Sequence, residues 1–233
     1  MSFLKSKTIN PGAAWVLHAK KFKETSLICE ILTEHNGKIA VIINNTNSKK
    51  KRQIIQPFKE LWLEYQQSES NLKKVTAIET STTSYNLLNT KSICGLYTNE
   101  LILKTTPTAE PLPLIFNAYT TCLQAIAAND NPAYALRSFE MALLQALGYG
   151  IPFENALNSK HTYFLYCQQK GFVPINQQLN AGFTKLELLN IQQQQWEKPK
   201  INGLAKTLFS QAISAILDNK PLKCRELIQG IMS

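Results

Sequence analysis

The feature that most constrains this chain is a change of periodicity near residue 80. Before it, short β-branched and apolar runs alternate with polar turns. After it, apolar residues recur at helical spacing. The early runs lie at 13–19 (AAWVLHA), 26–33 (SLICEILT), 38–43 (KIAVII), 58–65 (FKELWLEY) and 72–78 (LKKVTAI). EHNG between the second and third marks a hairpin, and SESN precedes the fifth. Five strands so punctuated predict a small barrel. The pattern of 58–66 also permits a helix.

Beyond the polar STTSYN at 81–86 the reading is helical. Tyr97, Leu101 and Ile102 share a face, and Pro107, Pro111 and Pro113 then break the chain. Residues 114–128 are apolar enough for a buried helix. Asn131 and Pro132 make a helix start, with Leu136, Phe139, Leu143, Leu144 and Leu147 behind it and Gly148 and Gly150 to end it. Residues 160–185 are irregular, with strand-like pieces at 162–166 and 171–173. A second stripe runs from Ile201 through Leu204, Ala205, Leu208 and Ala212 to Ile216, and a short last helix starts at Pro221. The expected class is α+β: a barrel over 1–80, then an all-helical domain over 81–233 with an irregular segment around 155–185.

Charge narrows the partners. The chain carries 25 basic and 16 acidic side chains, a net +9. Residues 1–80 hold 13 of the basic and 7 of the acidic groups, so the barrel is the better candidate for phosphates. Such a surplus favours nucleic acid, an acidic protein tail or an anionic membrane surface. An apolar fraction of 44% supports a real core. Five scattered cysteines without CxxC argue against a disulfide framework and a four-cysteine zinc site. No secretory h-region follows Met1, and no apolar run approaches the roughly 18 residues a membrane helix needs. A cytoplasmic protein is expected. His18, His35 and His161 lie far apart, and HExxH, P-loop and GxSxG patterns are missing. No enzyme is expected, and Glu100 and Glu110 read as helix-capping or loop residues.

Five blocks carry a family resemblance: VLHAKKFKETSLICEILTEHNGKIAVI at 16–42, the QPF turn at 56–58, GLYTNELILKTTPTAEP at 95–111, ALRSFEMALLQALGYGIPF at 135–153, and KPLKCRELIQGIM at 220–232. In this order and spacing the chain resembles the RecO family of recombination mediators. The resemblance implies an OB-fold followed by helices. It implies binding to single- and double-stranded DNA, annealing of complementary strands, and contact with the acidic C-terminal tail of single-stranded DNA-binding protein. It also implies cooperation with RecR in loading RecA (the RecF pathway), and a nucleoid-associated location. The chain departs from the family in two places. Some members carry a four-cysteine zinc module where this chain has only His161 and Cys167, so no metal or cofactor is expected. The Gly-Ala-Arg stretch common after the third strand is replaced by Asn44-Asn-Thr-Asn-Ser48, with the charge displaced into Lys49, Lys50, Lys51 and Arg52.

Those four cations form the leading candidate DNA contact, since four in a row cannot share one face and must lie in a solvated loop. Lys20, Lys21 and Lys23 extend the basic face toward Lys38, with Phe22 as the best exposed ring for stacking a base. For all of these the plainer alternative is a solvated turn that keeps a sheet edge soluble. Trp62 and Tyr65 read as core or domain-interface residues. For the partner tail, Arg137 offers a cation on a helix with an apolar stripe, with a simple Arg137–Glu140 pair as the alternative. Lys220, Lys223 and Arg225 form a second candidate cluster. The rival functions are a generic OB-fold nucleic-acid binder, a metal-dependent nuclease and a pure adaptor that binds no DNA.

Overall fold

The structure, a computed structural model, describes residues 12–44, 46, 53–66, 70–129, 131–177, 179 and 182–224. Strands β1 (Gly12–Phe22), β2 (Ser26–Thr33), β3 (Gly37–Asn44), β4 (Lys59–Gln66) and β5 (Leu72–Ser84) close into a barrel in the order β1-β2-β3-β5-β4. Every neighbouring pair is antiparallel except β3 and β5, which run parallel over Ala40–Leu72 to Ile42–Lys74. The period-two pattern decides what faces inward. Val16, Cys29, Ile31, Val41, Leu61 and Leu63 fill the barrel, and Ile55 joins them from the β3–β4 connection.

The helices are α1 (Asn89–Thr105), α2 (Pro113–Ala128), α3 (Ala133–Ala146), α4 (Phe153–Leu157), α5 (Lys185–Gln192) and α6 (Pro199–Ile216). Asn131 Oδ1 accepts from the Ala133 amide to start α3. Gly148, with φ +82°, ends it while the Tyr149 amide returns to the Leu144 carbonyl. The second half is not all-helical. Strands β6 (Tyr163–Cys167), β7 (Gly171–Ile175) and β8 (Phe183–Thr184) form a three-stranded sheet in the order β7-β6-β8. Phe164, Phe172 and Phe183 anchor it to the helical core, so a segment too short for clear periodicity is ordered by aromatic burial. Cys29, Cys94 and Cys122 are buried, while Cys167 and Cys224 are half-exposed.

One side of the barrel's outer surface belongs to the helical core. Ala13, Trp15, Leu17 and Leu32 face outward from the barrel yet are buried against the helices. Trp15 stacks on Tyr85 at 6.0 Å, meets Tyr119 edge-on at 5.8 Å and donates its Nε1–H to Thr120 Oγ1. Asn99 Nδ2 donates to the Leu17 carbonyl and its Oδ1 accepts from Tyr119 OH. The β2–β3 turn docks on the segment after α1. Gly37 has φ +62°, and a Cβ there would stand 1.8 Å from the Glu110 carbonyl oxygen, so only glycine fits.

Candidate nucleic-acid interface

The covered side ends partway along β2 and β3, and the register locates what stays open. Paired residues share a face. At the covered end the outward pair is Leu32 and Lys38; farther along come Glu30 and Ala40, then Ile28 and Ile42, then Ser26 and Asn44. The β1 register continues the third row to Lys20 and the last to Phe22, and the β5 register adds Lys74 beside Ile42. Lys20, Ile28, Ile42 and Lys74 thus form one outward row across four strands, about 14 Å wide at the usual strand spacing. Two exposed ammonium groups flank two half-buried isoleucines. A groove of about 380 Å³ opens next to Lys74, between the diverging ends of β3 and β5.

The β1–β2 hairpin stands at the same end. Lys20, Lys21, Phe22 and Lys23 are all exposed, because β1 continues three residues past its apolar run into solvent. Lys23 turns the chain with a left-handed φ of 52°, and its Nζ lies 5.5 Å from the centre of the Phe22 ring. The Ser26 hydroxyl donates to Asn44 Oδ1, and the Thr46 amide donates to the Thr25 carbonyl. The chain therefore leaves β3 beside this hairpin on its way to Lys49, Lys50, Lys51 and Arg52, which lie outside the described residues. The sequence reading missed Lys74. Its signal is the LKKVTAI run itself, but only the parallel β3–β5 pairing places it opposite Lys20.

Lys38 departs from expectation. It is 7% exposed, at the covered end of β3, with Nζ donating to the Leu103 and Thr106 carbonyls at 2.7 Å each. These carbonyls close α1, where the helix dipole is negative and a cation is favoured. The Lys38 carbonyl accepts from the Ala109 amide. Burial pulls the Lys38 pKa below the ordinary lysine value, and Glu30 partly restores it. Lys38 joins the barrel to the helices and is not part of the exposed basic face.

Arg137 also turns inward. It is 5% exposed on α3, its Nη2 is 3.0 Å from Glu140 Oε1, and Tyr97 OH donates to the same oxygen from α1. The i, i+3 pair exists, but buried between helices rather than on the surface. The apolar pocket of the helical domain lies on the other side of α3. Its volume is about 460 Å³, with Ala118, Thr121, Tyr134 and Trp196 in its wall and no Lys or Arg among its lining residues. Lys220 and Lys223 are exposed; Arg225 lies outside the described residues. Glu100 organises this corner: its carboxylate accepts from the Lys223 and Cys224 amides and pairs with Lys104 at 2.9 Å. Burial acts to raise the Glu100 pKa, but these partners outweigh it and hold the group below the usual glutamate value.

Trp62, expected inside, is 44% exposed, whereas Tyr65 is buried. No group of three or more His, Cys, Asp or Glu among the described residues is arranged to hold a metal ion, and none of the described helices is long and apolar enough to cross a membrane.

The sequence that builds this five-stranded barrel and the helices after it matches two family models. Recombination protein O N terminal covers residues 12–83, and Recombination protein O C terminal covers residues 90–177. Similar proteins include the DNA repair protein RecO of Actinobacillus succinogenes, 32% identical over 91% of this chain and 92% of its own length. That of Pasteurella multocida is 33% identical over 94% of both chains. That of Haemophilus influenzae (strain 86-028NP) is 32% identical over 91% and 93%. The chain belongs to the RecO family.

Proposed function

We propose that this chain is a recombination mediator in DNA repair. It binds single- and double-stranded DNA, anneals complementary strands without nucleotide, engages the C-terminal tail of single-stranded DNA-binding protein, and with RecR helps load RecA. The observation that carries the reading is the open outer row from Lys20 to Lys74, with Phe22 and the departure point of the Lys49–Arg52 segment at the same end. Cations at the edges meet phosphates and release counterions, while the isoleucine floor and the Phe22 ring suit unstacked bases. Annealing is then physical: the basic surface screens strand repulsion and raises the local concentration of both strands.

For the acidic tail, Lys220, Lys223 and Arg225 are the cations carried forward. Arg137 is spent inside the α1–α3 interface and supports that interface instead. The test is annealing of two complementary oligonucleotides, naked and then coated with the cognate single-stranded DNA-binding protein. Acceleration in both settings is expected. Acceleration on naked strands alone identifies a generic OB-fold nucleic-acid binder, and none in either rejects the reading.

A further inference from the structure

Beyond Lys74, the outer face of β4 and β5 has the opposite chemistry to the basic row. Leu61, Leu63 and Tyr65 point into the barrel, so Glu60, Trp62 and Glu64 point out. Trp62 pairs across the sheet with Glu79, which shares its face. A tryptophan 44% exposed thus stands among three carboxylates in a chain of net charge +9. Glu60 Oε2 accepts from the Ser81 hydroxyl. Neither Glu64 nor Glu79 has an ion pair among the described residues. A polyanion is repelled here, so this is no continuation of the DNA face. The two faces adjoin on β5, where Glu64 lies one outward row from the Gln66–Lys74 pair, whereas Trp62 pairs with Ala13 near the start of β1, about 30 Å along the strand from Phe22.

We infer that the Trp62 face docks a cationic protein partner, one whose contact loop carries Lys or Arg. The indole offers a flat negative ring face to a cation, and Glu64 and Glu79 supply the flanking charge. A partner whose contact loop is basic is disfavoured by the chain's net charge of +9 but meets carboxylates around Trp62. On the β4–β5 face Glu60, Glu64 and Glu79 reverse the sign around Trp62, while Lys20 and Phe22 stand at the other end of β1.

The inference rests on the mediator reading in its choice of probe, purified RecR. Its affinity is measured by calorimetry for the wild type, for Trp62→Ala, and for the double variant Glu64→Lys with Glu79→Lys. Single-stranded oligonucleotide affinity of Trp62→Ala serves as the fold control. Both variants are expected to weaken RecR binding at least tenfold, with oligonucleotide affinity of Trp62→Ala within about twofold of wild type. Undiminished RecR binding by both variants overturns the docking surface and leaves the mediator reading standing. No binding of RecR to the wild type overturns both. Wild-type self-association that Trp62→Ala abolishes overturns the proposal in favour of a second copy as occupant.

Discussion

Replacing Lys38 by methionine separates two accounts of this residue. A DNA contact and an internal strut respond differently. Lys38→Met keeps most of the stem's volume but removes an ammonium that donates to the Leu103 and Thr106 carbonyls. Hydrogen bonds to a charged group contribute about 1.5–3 kcal/mol each, and the desolvation cost of the buried ammonium offsets part of the pair. The net loss is about 2–3 kcal/mol, with two helix-end carbonyls left short of a donor. For a chain of this size that lowers Tm by about 4–12 °C. Thermal unfolding followed by circular dichroism gives the stability. Fluorescence anisotropy of a labelled single strand across a salt series gives the phosphate contacts. The expected result is a clear fall in Tm with the salt slope unchanged. An unchanged Tm with a slope reduced by about 0.7, one phosphate's worth on a single strand, would refute the assignment.

Phe22→Ala should weaken single-strand binding by about 1–3 kcal/mol and duplex binding much less, read by anisotropy on both substrates. Neutralising Lys49, Lys50, Lys51 and Arg52 together should lower the salt slope by up to about 0.9 per lost phosphate contact; an unchanged slope removes that segment from the site. Arg137→Met should destabilise the fold by about 3–5 kcal/mol in a denaturant titration, because it leaves the Glu140 carboxylate buried without its cation; a loss below about 1 kcal/mol would contradict the burial. Acid unfolding should draw on Glu100 and Glu187. Burial acts to raise both pKa values, but their partners hold both below the ordinary glutamate value. Their contribution is therefore complete above the ordinary glutamate pKa and lost as pH falls through the depressed folded values. Glu100→Gln should flatten that acid limb.

The strands were legible because the barrel is filled by period-two apolar side chains. The runs at 26–33 and 58–65 match β2 (Ser26–Thr33) and β4 (Lys59–Gln66) closely. β1 and β5 run longer than the patterns at 13–19 and 72–78, because their ends, Lys20–Phe22 and the Thr- and Ser-rich 79–84, pair by backbone without burying a face. The helix started by Asn131 and ended by Gly148 is readable from its end residues together with the apolar stripe from Leu136 to Leu147. α1 was read only from residue 97, since its first turns, beginning at Asn89, carry Thr, Lys and Ser rather than a clear stripe. The two cations misjudged, Lys38 and Arg137, share one cause: each is buried by an element distant in sequence. Lys38 meets carbonyls of the α1 end, and the pair of Arg137 and Glu140 is sealed by Tyr97 of α1. Trp62 failed the other way. Alternation places it outward, but whether a neighbour covers an outward face depends on where the helices dock, and they dock over Trp15 instead.

We propose that the outer barrel row bounded by Lys20 and Lys74 carries the DNA. The most direct test is the salt dependence of single-strand binding for the double variant Lys20→Ala with Lys74→Ala against wild type. Losing two phosphate contacts should reduce the slope of log K against log salt by about 1.4, with Tm unchanged. An unchanged slope in a folded double variant would contradict the account and place the DNA on another surface.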